Sequence, residues 1–115
     1  MSEAEHYQVT TTTDAREEAS ALARSAVEAR LAACGQVLGP ILSTYWWEGR
    51  VEAAEEWYVV FKTTAARYPE LERHLRERHS YDVPEIVATP ILAGNPAYLS
   101  WVSGETVSGE TRTGG

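Results

Sequence analysis

Few side chains in this sequence could hold a metal or attack a substrate, and those few are scattered. The soft or borderline ligands are Cys34, His6, His74 and His79. His74 and His79 lie five residues apart in a stretch with helical spacing, which turns them ~140° from each other. One helix cannot aim both at the same ion. Neither C-x-x-C nor H-E-x-x-H occurs. Three copies of Cys34 around a symmetry axis could approach one another. Otherwise Cys34 is a small apolar residue at a helix-to-strand junction. Cys34 with His79 is the one pairing that could give an activated thiol, and no spacing places the two together. Glu52, Glu55 and Glu56 sit together near a turn and read as a solvated acidic edge that discourages strand-to-strand aggregation. Lys62, the sole lysine, follows an apolar run and has two readings. It is a strand-end lysine whose head reaches water, or a cation that holds an anion beside aromatic rings. Gly35 and Gly39 do not form a phosphate-binding loop. No catalytic constellation emerges, and we expect a protein that is not an enzyme.

The elements that must position these residues can be read from periodicity. His6 to Thr13 is rich in β-branched residues and reads as a strand. Asp14 followed by Glu17 has the form of a capping box. The apolar residues Ala15, Ala19, Leu22, Ala23, Ala26, Val27 and Leu31 then recur at helical spacing, which predicts a helix stopping near Ala33 to Gly35. Its stripe is made mostly of small residues, which allows close packing on a sheet. Gln36 to Thr64 reads as two long strands around a turn at Glu48-Gly49. Six of the eleven aromatic residues fall between Tyr45 and Phe61. The second arm is apolar on both faces, with Trp57, Val59 and Phe61 on one and Tyr58 and Val60 on the other. A strand with two apolar faces is expected to be covered on both sides, here by another subunit. Pro69 opens a second helix that ends near His79 or Ser80. Glu85 to Leu92 predicts a fourth strand, and Asn95-Pro96 an N-cap and first turn of a short final helix. Residues 104–115 are Gly, Ser, Thr and Glu with little apolar content and read as a disordered tail. The order βαββαβ is that of an α+β, ferredoxin-like sandwich, a single domain over residues 1–103 with a long hairpin in its middle.

The bulk composition narrows the partners. A chain of 115 residues with 43% apolar content makes one domain with one core. The formal net charge of -7 repels phosphate backbones, which argues against nucleic acid. Arg67, Arg73, Arg76 and Arg78 cluster in sequence and read as a solvated helix face. A single cysteine forms no internal disulfide. The N-terminus has no basic-then-apolar signal pattern, and no apolar run nears the ~20 residues of a membrane helix. We expect a cytoplasmic protein with no membrane partner.

Several segments, in order, resemble the CutA divalent-ion tolerance family. They are Leu31-Ala32-Ala33-Cys34, Ser43-Thr44-Tyr45-Trp46-Trp47-Glu48-Gly49, Lys62-Thr63-Thr64, Tyr81-Asp82-Val83-Pro84-Glu85-Ile86 and Tyr98-Leu99-Ser100-Trp101. The resemblance runs from about His6 to Val102. It implies a ferredoxin-like subunit in a compact homotrimer similar to that of PII-type signalling proteins, with the hairpin arms extending across subunits. It implies a role in tolerance of divalent cations, with copper or another divalent cation as the one candidate bound ion and with no established catalysis. The matching positions place Cys34, Tyr45, Trp47, Lys62, Tyr81, Glu85 and Trp101 at clefts between subunits. Some members carry a His before Pro-Tyr where His79 stands, with Ser80 here in place of the Pro. Some carry further cysteines where this chain has Thr10 and His74. Copper would then be left with Cys34 and His79. The alternative implied by the PII-like assembly is a signalling trimer whose clefts bind a small anionic ligand at Lys62, with a ligand or protein partner that the residues do not name.

Overall fold

The computed structural model describes residues 4–107. Strand β1 is His6–Thr13, helix α1 Arg16–Glu28, β2 Cys34–Trp47, β3 Arg50–Thr64, α2 Tyr68–Arg78, β4 Ile86–Pro90 and α3 Pro96–Glu105. The strands form one antiparallel sheet in the order β2-β3-β1-β4. This is the ferredoxin-like order expected from the sequence. No helix among the described residues is long and apolar enough to cross a membrane.

One face of the sheet meets α1 and α2. Val9 on β1 and Val59 and Phe61 on β3 are buried there against Ala19, Leu22, Ala23 and Ala26 of α1 and Leu71 and Leu75 of α2. The small-residue stripe does bring helix and sheet close. A Cβ added at Gly35 would sit 2.9 Å from that of Ala23. Helix α1 starts later and ends earlier than the periodicity suggests. Asp14 does not cap it. The N-cap is Ala15, whose N–H donates to the Thr13 hydroxyl at 3.1 Å. At the other end Arg30 takes φ +63°, and Arg30 and Leu31 donate to the Val27 and Ala26 carbonyls. That is a Schellman closure with arginine in the left-handed position where glycine is usual. Residues 31–33 are thereby freed to lead into β2.

The hairpin turns at Glu48 and Gly49, with φ +51° and +79°. Two positive-φ residues make the I′ geometry that suits the strand twist. Because β1 pairs only with Trp57–Thr64, the segment Arg50–Glu56 of β3 pairs with β2 alone. The hairpin therefore overhangs the rest of the sheet by seven residues, ~23 Å at about 3.3 Å per residue. Leu42, Trp46, Trp47 and Val51 on the overhang are all more than half exposed.

The second sheet face is covered in part by this chain itself. Helix α3 packs over β1 and β3 at the Lys62 end and buries Val102 fully. Asn95 caps it as expected, accepting from the Ala97 N–H at 3.0 Å. The helix runs past the expected boundary at residue 103, and Thr106 is buried with its hydroxyl on the Val102 carbonyl at 2.9 Å. Of the expected tail, residues 108–115 lie outside the described residues. Strand β4 is shorter than expected, ending at Pro90, although the Ile91 N–H still donates to the His6 carbonyl at 2.9 Å.

Candidate functional site

The register divides β3 into two faces. Trp57, Val59, Phe61 and Thr63 point to the helices, while Glu56, Tyr58, Val60 and Lys62 point the other way. Of the residues expected at a functional cleft, Tyr81 lies at Glu56, and Cys34, Lys62 and Trp101 lie toward the other end of the face; Trp47 is at the hairpin tip, in register with Arg50.

The first group is built around Glu56. This residue was expected on a solvated acidic edge, yet it is only 8% exposed and accepts a 2.6 Å hydrogen bond from the Tyr81 hydroxyl. The strand alternation that puts Glu56 in phase with Tyr58 and Val60, and Glu55 out of phase, was the overlooked signal. Burial pushes the Tyr81 phenol well above the usual tyrosine range, and the hydrogen bond to Glu56 adds to it, with Asp14 and Tyr45 contributing less. The backbone holds Tyr81 through His79. The Tyr81 N–H donates to His79 Nδ1 at 3.1 Å, which leaves Nε2 to donate to the Thr12 carbonyl at 2.8 Å. Glu18 of α1 approaches the same ring at 3.7 Å and accepts from the Ser80 N–H and hydroxyl. Burial opposes the charge on Glu18, but the bonds from Ser80 and Thr13, with His79 nearby, outweigh it and hold the carboxyl below its usual range. Tyr45 and Trp47 project from the hairpin on the open face, opposite Glu52 and Arg50, and are 42% and 60% exposed. Glu85 is exposed just before β4.

The second group surrounds Lys62. Cys34 is its cross-strand neighbour on β2, and Gln36 Oε1 accepts from Lys62 Nζ at 3.1 Å. The Cys34 Sγ lies 3.7 Å from the Tyr98 hydroxyl. The Tyr98 and Trp101 rings lie 5.5 Å apart on α3. Burial raises the Tyr98 phenol, with Cys34 adding to it. Gln36 and Tyr98 were not among the expected cleft residues, although Tyr98 lies in a segment that carries the family resemblance. Their roles depend on the β2–β3 register and on where α3 lies. On the helix side of the β2 edge, Cys34 also lines an open groove of about 580 Å³ with Ser20, Ala23, Arg24, Val27 and Val37.

The fold and the sequence match known proteins. The model of the CutA1 divalent ion tolerance protein matches residues 7–105. The chain belongs to the CutA divalent-ion tolerance family. The divalent-cation tolerance protein CutA of Thermus thermophilus is 40% identical over 95 residues, covering 83% of this chain and 92% of that one. The rice protein CutA 1, named as chloroplastic, is 40% identical over 91 residues, covering 79% of this chain and 51% of that one. The chain thus spans about half the length of the plant relatives it matches and most of the bacterial one. The crystal structure of CutA1 from a Shewanella species superposes with a TM-score of 0.89 at 33% identity, covering 93% of this chain and all of that one.

The family name implies a divalent cation, and the residues of this single chain do not fit one. The His79 side chain, fully buried, has both ring nitrogens in hydrogen bonds to the backbone. Its partner Thr12 is in register with Tyr58, whereas Cys34 is in register with Lys62. Four residues along β3 separate the two positions by ~13 Å. Among the described residues no three His, Cys, Asp or Glu side chains group in a way that could hold a metal ion.

Proposed function

We propose that this protein acts as a homotrimer in divalent-cation tolerance, without catalysing a reaction, and that its working surface is the cleft between subunits. The observation that carries this reading is the overhanging hairpin, which leaves Tyr45 and Trp47 uncovered on the open face and further apolar residues uncovered on the opposite one. Leu42, Trp46 and Val51 are 77%, 74% and 59% exposed, and a lone subunit would present them to water. Apolar patches of this kind mark association surfaces. The two residue groups at opposite ends of the open face each supply half of a cleft, and a neighbouring copy supplies the other half. Light scattering tests the assembly. A trimer is expected at micromolar concentration, and a stable monomer would overturn the reading.

Divalent-ion binding is weak in this reading and runs through Cys34, with copper as the ion to try. One subunit offers no second soft ligand beside that thiol, so a stronger site needs thiols from several copies. Copper titration is expected to show several-fold weaker binding in Cys34→Ser, and equal affinities would remove the thiol from the account. Residence in the cytoplasm belongs to the same reading, since a single unpaired cysteine calls for no oxidising compartment. Cell fractionation checks it.

The competing reading is a PII-like signalling trimer that binds a small anion at Lys62. It draws on one observation, that the ammonium group bonds to the neutral Gln36 amide and to no carboxylate among the described residues. A panel of small anions against wild type and Lys62→Ala separates the two. A differential hit favours signalling.

A further inference from the structure

Two charged side chains on the open sheet face lack an opposite charge. Glu56 is 8% exposed, and its hydrogen-bond donor is the neutral Tyr81 phenol. Lys62 is half-buried and donates to the neutral Gln36 amide. Neither is in any ion pair among the described residues. Both belong to β3 and face the same way. Six residues separate them, ~20 Å at about 3.3 Å per residue, so they cannot meet within one subunit. Along β3 the strip between them is apolar, flanked on the same face by Gln36 of β2 and Thr10 and Thr12 of β1. It carries Tyr58 and Val60 on β3, with Leu38 on β2 and Val87 on β4 left 50% and 47% exposed.

A buried carboxylate without a counter-charge is costly, and so is a half-buried ammonium, less steeply. An apolar strip with a negative group at one end and a positive group at the other is complementary to a second copy of itself. Laying the Lys62 end of one copy on the Glu56 end of another buries the strip and neutralises both charges. In a three-membered ring the contact repeats head to tail and closes, leaving no Glu56 or Lys62 unpaired. We propose that Glu56 of each subunit takes the Lys62 ammonium of its neighbour, and that this pair sets the register of the assembly across the open sheet face. The proposal rests on the trimer reading and adds the residues that align it. Tyr81 keeps its place on Glu56 as the donor that holds the carboxylate toward the neighbour. Lys62 is then engaged in the assembled protein and is not open to a small anion.

A charge-reversal cycle on the full chain tests this. Glu56→Lys and Lys62→Glu are each expected to raise the trimer dissociation constant at least ~30-fold, the lower bound for breaking a desolvated interfacial charge pair. The double reversal is expected to return it to within about tenfold of wild type. A double variant no tighter than the sum of the two single effects would overturn the pair, even with wild type trimeric. Where a reversed variant does not fold, Glu56→Gln, Lys62→Gln and their combination give the same cycle without a repulsive charge. Additive effects there count against the proposal, and strong non-additivity supports it. A monomeric wild type in sedimentation equilibrium would instead remove the trimer reading itself, so the two failures are distinguishable.

Discussion

Tyr81 shows how one side chain joins separate elements. Its N–H fixes the His79 ring and its hydroxyl donates to Glu56, so the loop after α2 is tied to both β1 and the hairpin. Removing the hydroxyl leaves a buried acidic group without its donor. Tyr81→Phe is therefore expected to lower stability by about 1–3 kcal/mol, read as a drop in melting temperature, while its ring stays packed near His79. Thr11 makes the opposite case. Its hydroxyl is buried in the core layer and has no hydrogen-bond partner. Thr11→Val removes an unsatisfied group without opening a cavity and is expected to stabilise by about 1 kcal/mol. Chemical denaturation would show a higher midpoint with an unchanged slope.

Helices α1 and α2 are joined by a polar contact as well as by their apolar stripes. Ser25 donates to the Leu22 carbonyl, so its oxygen is left to accept from His74 Nε2 at 2.9 Å. Burial pushes the His74 imidazole below its usual range, and Arg78 adds to this against the opposing pull of Glu77. A histidine whose folded pKa lies below its unfolded one binds fewer protons folded than unfolded. Its contribution is thus present above the unfolded value near pH 6.5 and is lost as pH falls through the folded value. Stability of wild type is expected to decline through that window, and His74→Gln to flatten the decline, as followed by melting temperature against pH. Arg30 couples the next pair of elements. It occupies a left-handed backbone position, its guanidinium reaches Glu105 at the end of α3 at 2.5 Å, and its carbonyl accepts from Arg67. A cation there also suits the negative end of the α3 dipole.

At the scale of the molecule, the overhanging hairpin sets a long shape of 51 × 31 × 21 Å. The overhang contributes little to the subunit core, since Leu42 and Trp46 lie outside the buried cluster. Replacing both with serine is expected to leave the circular dichroism of the chain intact and to shift the proposed trimer toward monomer at micromolar concentration. Retention of the trimer at that concentration would show that the overhang is not part of the interface.

By itself the sequence determined the order of elements, the hairpin with its Glu48-Gly49 turn, the small-residue helix stripe and the family. The first three follow from local chemistry and from periodicity along one strand or helix, and the family from the resemblance of five short segments. It misjudged where α1 ends, because Arg30 accepts a conformation usually left to glycine and Glu105 and Arg67 reward it from elsewhere in the chain. It also placed Glu56 in water. Whether a strand residue is solvated depends on what crosses over it, and Tyr81, 25 positions along, is brought there only by the packing of α2 and β4. The same dependence separates Cys34 from His79. Both are ligands by residue type, but the register sets them at different ends of the sheet and commits the His79 nitrogens to backbone groups. The tertiary structure decided which side chains share a face and which charges remain without partners, since both depend on contacts between segments distant in the chain.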